Sequence, residues 1–356
     1  MRKLYVGKLW IPAFLAAIAL AGCGDPDKST GGPASPLTPP TVVSVVPAGG
    51  ATGICQGAVV TATFSKAMNP LTINTGTFKL AAGTTAVTGT VALDATDKIA
   101  TFTPSSLLAL NTPYTATITT GAQDQFGIAL AADFSWMFTT AAVACPGSIP
   151  IGPAGCGFGI LAGSTVTNTS TVPAPTNVSG DVGVWPGSAI VGFPPGMLTG
   201  TLHAADAVAQ AAQGQLTTAY NTAAGKPVGT HLPPDIGGQT LAPGVYTTVA
   251  QPTLGITGDL TLDGGGDPNA VWIFQISSTL ITAAGKVNLI NGGQPKNVFW
   301  AVGSSATLGT GTTMAGNIMA QASITLNTGV TLNGRALASV GAVTLISDTV
   351  NVPPCP

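Results

Sequence analysis

Between residues 41 and 143 apolar and polar residues alternate in short runs, at 59–64, 78–80, 90–93, 99–103, 114–118 and 134–138. Turn residues separate the runs at intervals of roughly ten, which predicts an antiparallel β-sandwich. After a Cys/Pro/Gly linker at 144–157 the pattern changes. Leu202, Ala205, Ala209, Ala212, Leu216, Ala219 and Ala223 recur at spacings of three and four. That apolar stripe predicts one helix over 202–224, with Thr201 capping its start and Gly225 its end. The stretches 270–276, 297–302, 317–320 and 335–338 are apolar on both faces or nearly so, so each is a strand that something must cover from outside. The helix is the natural cover.

A second periodicity runs through the C-terminal part. Ser305-Ala306-Thr307-Leu308-Gly309-Thr310 returns 18 residues later as Ser323-Ile324-Thr325-Leu326-Asn327-Thr328, and again, degraded, as Ala342-Val343-Thr344-Leu345. An earlier copy is Ser278-Thr279-Leu280-Ile281-Thr282. Self-similarity at a fixed short period marks a chain wound into stacked coils. A coil of this length holds three short strands, hence a three-faced β-solenoid. Side chains alternate along a strand, so each Leu points inward and each preceding Thr outward. Thr279, Thr307, Thr325 and Thr344 are expected to form an outward ladder. Gly311 to Gly316 and Gly329 to Gly334 answer each other on a third face, where Thr313, Thr331 and Thr349 form a second column.

Composition narrows the function. Only 7% of residues are charged, no Glu occurs, and net charge is −2. A nucleic-acid partner has no electrostatic footprint in such a chain. A polysaccharide lyase or hydrolase needs carboxylates, or an acid with a base, on one face, and the ladder copies carry hydroxyls only. The chain is therefore read as a non-enzyme without cofactor. Asp181, Asp259, Asp263 and Asp267 follow Gly or sit in turns, where Asp bonds local backbone. His203 belongs to the helix start, and Trp185 and Phe193 are expected to pack between the first strands and the helix.

Arg2, Lys3 and Lys8 precede an apolar stretch at 9–20 that is too short to span a bilayer. It ends in Leu20-Ala21-Gly22-Cys23, which resembles a bacterial lipobox. That resemblance implies cleavage after a signal peptide of residues 1–22, lipid attachment to Cys23 and a flexible tether over 23–40. It implies export to the cell envelope, anchored at a surface-exposed outer membrane. Cys55, Cys145, Cys156 and Cys355 remain, an even number that suggests two disulfides in an exported chain. Three pairings are open. Cys55 with Cys145 and Cys156 with Cys355, each pair bracketing one domain, is the favoured one. Neither His203 nor His231 lies near a Cys, and no Cys-x-x-Cys pair exists, which argues against zinc.

Residues 41–143 resemble a bacterial Ig-like domain of the S-layer type, in phrases such as Ala62-Thr63-Phe64-Ser65-Lys66-Ala67-Met68-Asn69-Pro70 and Trp136-Met137-Phe138-Thr139-Thr140. From 158 to 352 the chain resembles the bacterial and fungal ice-binding proteins that have a discontinuous β-solenoid. The matching phrases are Gly159-Ile160-Leu161-Ala162-Gly163-Ser164-Thr165-Val166-Thr167-Asn168, Val178-Ser179-Gly180-Asp181-Val182, His203-Ala204-Ala205-Asp206, Leu241-Ala242-Pro243-Gly244-Val245-Tyr246, Asp267 to Gln275 and Asn297-Val298-Phe299-Trp300. The resemblance implies a right-handed three-faced solenoid with a helix along one face and N-terminal coils stacked out of sequence order on C-terminal ones. It implies a monomer that binds ice through a flat, uncharged face rich in Thr and Ser. Joined to the ladder, it assigns Ser278, Thr279, Ser305, Thr307, Thr310, Ser323, Thr325, Thr328, Ala342 and Thr344 to ice, with Thr313, Thr331 and Thr349 as the alternative face. The competing reading is a general surface adhesin or matrix protein that binds glycan or protein.

Overall fold

The computed structural model describes residues 38–171, 173–248 and 252–355. The basic segment, Cys23 and nearly all of the tether lie outside them. The first part is a sandwich of two four-stranded antiparallel sheets. One is built from Val42–Val46, Val60–Phe64, Ile99–Pro104 and Gly89–Leu93, the other from Thr85–Ala86, Phe78–Ala82, Pro113–Ile118 and Phe134–Thr139. Alternate residues turn inward, so Val60, Ala62, Phe64, Phe78, Leu80, Phe102, Tyr114 and Phe138 share one core. The buried Trp136 indole donates to Pro47 O at 3.1 Å, which satisfies its only polar group.

From Phe158 onward all named strands pair in parallel and wind around three faces. On the first face the order is Thr230–His231, Gly244–Thr247, Trp272–Ile276, Val298–Val302, Thr313–Ala320, Thr331–Ala338, then Phe158–Ala162, Asp181–Val184 and Leu202–Ala204. The order jumps from the last complete coil back to the first strands, which is the discontinuity the resemblance implied. One inner column runs Tyr246, Phe274, Trp300, Ile318, Ala336, Ile160. Its rings stack, with Phe274 and Trp300 centroids 3.9 Å apart. Thr313–Ala320 and Thr331–Ala338 each turn a corner between the third and first faces. Gly316 (φ 111°) and Gly334 stand at that bend. A Cβ on Gly334 would lie 1.8 Å from Gly316 O, so only glycine lets the coils stack there.

The helix is shorter than its apolar stripe predicts. It spans Ala207–Ala224, and Leu202–Ala204 is instead the outermost strand of the first face. Asp206, not Thr201, is the N-cap and accepts from Ala209 N at 2.8 Å, while Gly225 ends the helix as expected. Ala205 has φ 54° and cannot continue a right-handed helix. The helix lies along the first face as its cover. Ala209, Ala212, Leu216, Ala219 and Ala223 pack with Phe158, Leu161, Val271, Ile273, Phe299, Met319 and Leu337. Trp185 joins this layer as expected, but Phe193 packs against the solenoid interior instead.

Cys55 bonds Cys145 and Cys156 bonds Cys355, the favoured pairing. Beside the second bond lies a group that the apolar reading of 335–338 missed. Arg335 is fully buried. Its guanidinium donates to Cys156 O at 2.9 Å, Pro353 O at 2.6 Å and Asn317 Oδ1 at 2.9 Å. Burial lowers its pKa to about 10, yet it stays charged at neutral pH. One cation thus ties the start of the solenoid, its last coil and its C-terminal segment together.

Candidate functional site

The ladder sheet has seven parallel strands: Ala189–Val191, Thr165–Asn168, Val343–Leu345, Ile324–Leu326, Ala306–Leu308, Thr279–Thr282 and Thr253–Ile256. None carries a charged residue. Their buried residues, Val166, Val343, Ile324, Leu308, Leu280 and Leu254 among them, fill the interior. The intervening residues face out in two columns. Cross-strand pairing sets the central column as Val191, Thr167, Thr344, Thr325, Thr307, Ile281 and Gly255. The parallel column holds Ala189, Thr165, Ala342, Ser323, Ser305, Thr279 and Thr253, each two residues earlier, at the start of its strand or just before it. Neighbouring rows are ~4.8 Å apart across strands and ~6.7 Å along them, a regular two-dimensional grid.

The expected residues are brought together, with one correction. Thr279 does not continue the Thr307 column. Leu280 pairs with Ala306 and Ile281 with Thr307, so Thr279 stands level with Ser305 and Ile281 occupies the ladder place. The two registers differ by two residues, so both turn Leu280 inward. The observed one puts buried Thr282 beside Leu308, where its hydroxyl accepts from Gly309 N at 3.0 Å and bonds Thr312 Oγ1 at 2.9 Å. Ser278 consequently lies at the corner, where its carbonyl accepts from Ser304 N at 2.7 Å. Ile281 is 47% exposed, a bulky aliphatic step within the column, and Val191, 57% exposed, is another at its end.

The hydroxyls divide into two kinds. Ser305 Oγ accepts from Ser323 N at 3.4 Å and Ser323 Oγ from Ala342 N at 3.2 Å, so the serines also fasten coil to coil. Thr167, Thr307, Thr325 and Thr344 are half-buried, and among the described residues no hydrogen bond engages their hydroxyls. Thr310 and Thr328 are exposed in the turns that follow, where Gly311 N donates to Thr328 O at 3.1 Å, and they extend the surface at its edge. Behind that edge Asp348 is buried and accepts from Val330 N at 2.9 Å and Ile346 N at 2.7 Å. Loss of solvent outweighs those bonds and raises its pKa to about 7.

Residues that direct sequence reading left out complete the sheet. Thr165 and Thr167 come from the first coil and Thr253 from the middle of the chain, yet they share rows with Thr344 and Thr279. The Val-Thr pair in Thr165-Val166-Thr167 and Ala342-Val343-Thr344 is the one local signal that could have placed them.

The alternative face is built differently. Thr313, Thr331 and Thr349 do align, as expected, and Asn177 follows Thr349. Lys286 pairs with Thr313 at one end of the column and Met197 stands beyond Asn177 at the other. In the neighbouring column Asn351 donates to Asn333 at 2.9 Å. A cation and paired amides interrupt the uniform surface there.

The remaining candidate groups are engaged in the fold. His203 Nδ1 lies 2.7 Å from Asp206 Oδ2 at the helix start. Asp181 accepts from Thr201 N, Asp259 from Lys286 N, Asp263 from Gly265 N and Asn291 Nδ2, and Asp267 from Asn269 N. These are turn-stabilising bonds of short acidic side chains.

Comparison with known proteins places these features in a family. The Ice-binding-like family pattern matches residues 160–351, and that of a bacterial Ig-like domain matches 37–140. An ice-binding protein of Nostoc sp. (strain HG1) is 46% identical over 196 residues, covering 54% of this chain and 71% of that protein. An ice-binding protein of Flavobacterium frigoris (strain PS1) is 35% identical over 218 residues, covering 55% and 74%. Among solved structures, an ice-binding protein from an Antarctic biological consortium superposes with a TM-score of 0.55 at 44% identity, covering 58% of this chain and 92% of that one. A domain of Shewanella frigidimarina ice-binding protein 1 gives 0.52 at 30% identity, covering 58% and 98%.

Proposed function

The chain belongs to the ice-binding-like family, and from that premise we propose that it binds ice, and does so through the seven-stranded ladder face. The observation that carries the face assignment is its uncharged grid of outward residues, mostly Thr, Ser and Ala, aligned row by row across seven strands. Ice presents a periodic lattice of water with no charge pattern. A surface that matches it must be rigid, extended and weakly polar. Inter-coil hydrogen bonds on both sides of every inner strand supply the rigidity. Each Thr methyl orders adjacent water, and each hydroxyl joins the ordered layer.

Binding of this kind needs no bond-making step, cofactor or second subunit, so we read the protein as a monomeric non-enzyme. Acylation at Cys23 would hold it on the cell envelope. There it would restrain recrystallisation, depress freezing or attach the cell to ice, with the sandwich as a spacer.

The test is partition of the purified chain into slowly grown ice, together with the shape of crystals in dilute protein. Enrichment in the ice and faceted crystals are expected. Exclusion from ice and rounded discs would remove the ice reading and leave the adhesin.

A further inference from the structure

The two ends of the sandwich have different neighbours. At one end its loops meet the solenoid. A Cβ added to Gly266 would come within 2.8 Å of Val46 Cγ1, one on Gly265 within 2.8 Å of Ile54 Cδ1, and one on Gly57 within 3.2 Å of Asp267 Oδ2. Val42–Val46 runs toward that end. Its start, and Thr38 before it, therefore lie at the other end, ~15 Å away along the strand. There Thr41 N donates to Ser65 Oγ at 3.0 Å and Lys66 Nζ bonds Thr38 O. The chain coming from Cys23 enters the fold at this distal tip.

The same tip is apolar. Two of its loops are bonded to each other, Asn69 N to Gln123 O at 2.8 Å and Gln125 N to Ala67 O at 3.3 Å. Their outermost side chains are Leu71, 86% exposed, and Phe126, 71% exposed. Both are held by their own turns: Leu71 N donates to Asn69 Oδ1 at 3.0 Å and Phe126 N to Asp124 Oδ1 at 2.9 Å. Lys66 pairs with Asp124 and Lys98 follows Asp97, while Asp94 in the same turn and Asp133 beside Thr120 leave the tip slightly acidic, so no basic patch draws it to lipid and the two side chains must carry any attraction.

We propose that this tip is a membrane-resting surface, with Leu71 and Phe126 seated at the headgroup boundary of the bilayer that holds acylated Cys23. The inference rests on that acylation. Residues 24–37 can span at most ~50 Å, which keeps the tip close to its anchor. A contact too weak to bind alone is then effectively intramolecular and persists. Its attraction is apolar, so added salt should not weaken it. Its consequence is orientation: the solenoid sits at the opposite end of the sandwich and is held away from the lipid.

The experiment uses the acylated full chain on phosphatidylethanolamine/phosphatidylglycerol vesicles. A nitrobenzoxadiazole label is placed through Ala95→Cys near the tip, or through Val340→Cys on the solenoid as control. The tip label should shift to the blue and lose emission when the acyl chains are brominated, and the control label should not. Leu71→Ser with Phe126→Ser should return the tip label to the control's behaviour while flotation with the vesicles persists. Flotation with identical behaviour of the two labels overturns the contact and leaves the anchor standing. Failure to float overturns the anchor and the contact with it. Concentration-dependent dimers of unacylated chain that the double variant abolishes would assign the tip to a second copy and also overturn it.

Discussion

Thr325 stands at the middle of the ladder, with Thr307 on one side and Thr344 on the other. Its hydroxyl and methyl face outward and support no neighbouring coil, so its size is constrained by what the surface meets and not by the core. Thr325→Tyr should project beyond the grid and hold an ice lattice away. We expect loss of most freezing hysteresis, with stability changed by no more than about 0.5 kcal/mol. Thr331→Tyr, on the face interrupted by Lys286 and the asparagines, should lose much less. Hysteresis and thermal melting of the two variants check this, and an inactive Thr331 variant beside an active Thr325 variant would reassign the face. At this scale the sequence was readable wherever spacing was constant. The copies at 305 and 323 hold their register because the intervening coil is identical in length. The copy at 279 slipped by two residues, because the chain from there to 307 is longer and a two-residue shift keeps the same side chains facing inward, so the local pattern of Thr and Leu does not reveal the register. Arg335 was unreadable for a related reason. Its partners are two carbonyls and an amide distant in sequence, and no charge pattern announces them.

Among the elements, two buried ionisable groups carry predictions: Arg335 on a corner-turning strand and Asp348 in the turn before Thr349–Asn351. Arg335→Ala would leave Cys156 O, Pro353 O and Asn317 Oδ1 without their donor inside the fold. A loss of at least about 3 kcal/mol in denaturant unfolding is expected, since charge-assisted bonds to buried acceptors are the costly ones to break. A loss below ~1 kcal/mol would mean the three groups find water or move apart. Asp348 sets a pH dependence. Its folded pKa, about 7, lies above the ordinary carboxylate value of roughly 3.9. The folded state therefore holds the proton more tightly, and this contribution is fully present below about pH 4 and is lost as pH rises toward 7. Asp348→Asn cannot titrate. Its melting temperature should be flatter over that window than that of the wild type, though lower in acid because one of the two backbone N–H groups loses its acceptor. Equal slopes for both proteins would show that Asp348 ionises normally. Asp267, also shifted upward by burial, leaves some slope in either case. The helix gives the element-scale lesson in legibility. Its buried face was visible as an apolar stripe, but the stripe ran past the true start because Leu202 and Ala205 kept the spacing. The left-handed backbone at Ala205 and the Asp206 cap, which end the helix there, do not register in a hydrophobic period.

For the whole molecule, the solenoid, its three faces and its helix cover follow from period and burial, whereas the order of the coils does not. Thr165–Asn168 lies beside Val343–Leu345 across most of the solenoid's sequence, and only the family resemblance anticipated that return. Such closure is non-local, so no window of sequence contains it. The same topology decides what the sandwich contributes. All seven ladder strands, the helix and the Cys156–Cys355 bond lie beyond residue 146. A chain beginning at Pro146 loses only Cys145, whose partner Cys55 leaves with the sandwich. The cut uncovers Asp267 and Gly265, which Gly57 and Ile54 shield in the intact chain. The raised pKa of Asp267 comes mainly from burial, so exposure should bring it back toward the ordinary range and weaken the fall in stability with rising pH. We therefore expect the truncated chain to unfold in one cooperative transition a few degrees below the solenoid transition of the intact protein. It should shape ice crystals as the intact protein does. Calorimetry and crystal morphology on the two chains decide it: a truncated chain that fails to fold would make the sandwich part of the solenoid's fold, and one that folds without shaping ice would move the working surface to include the sandwich.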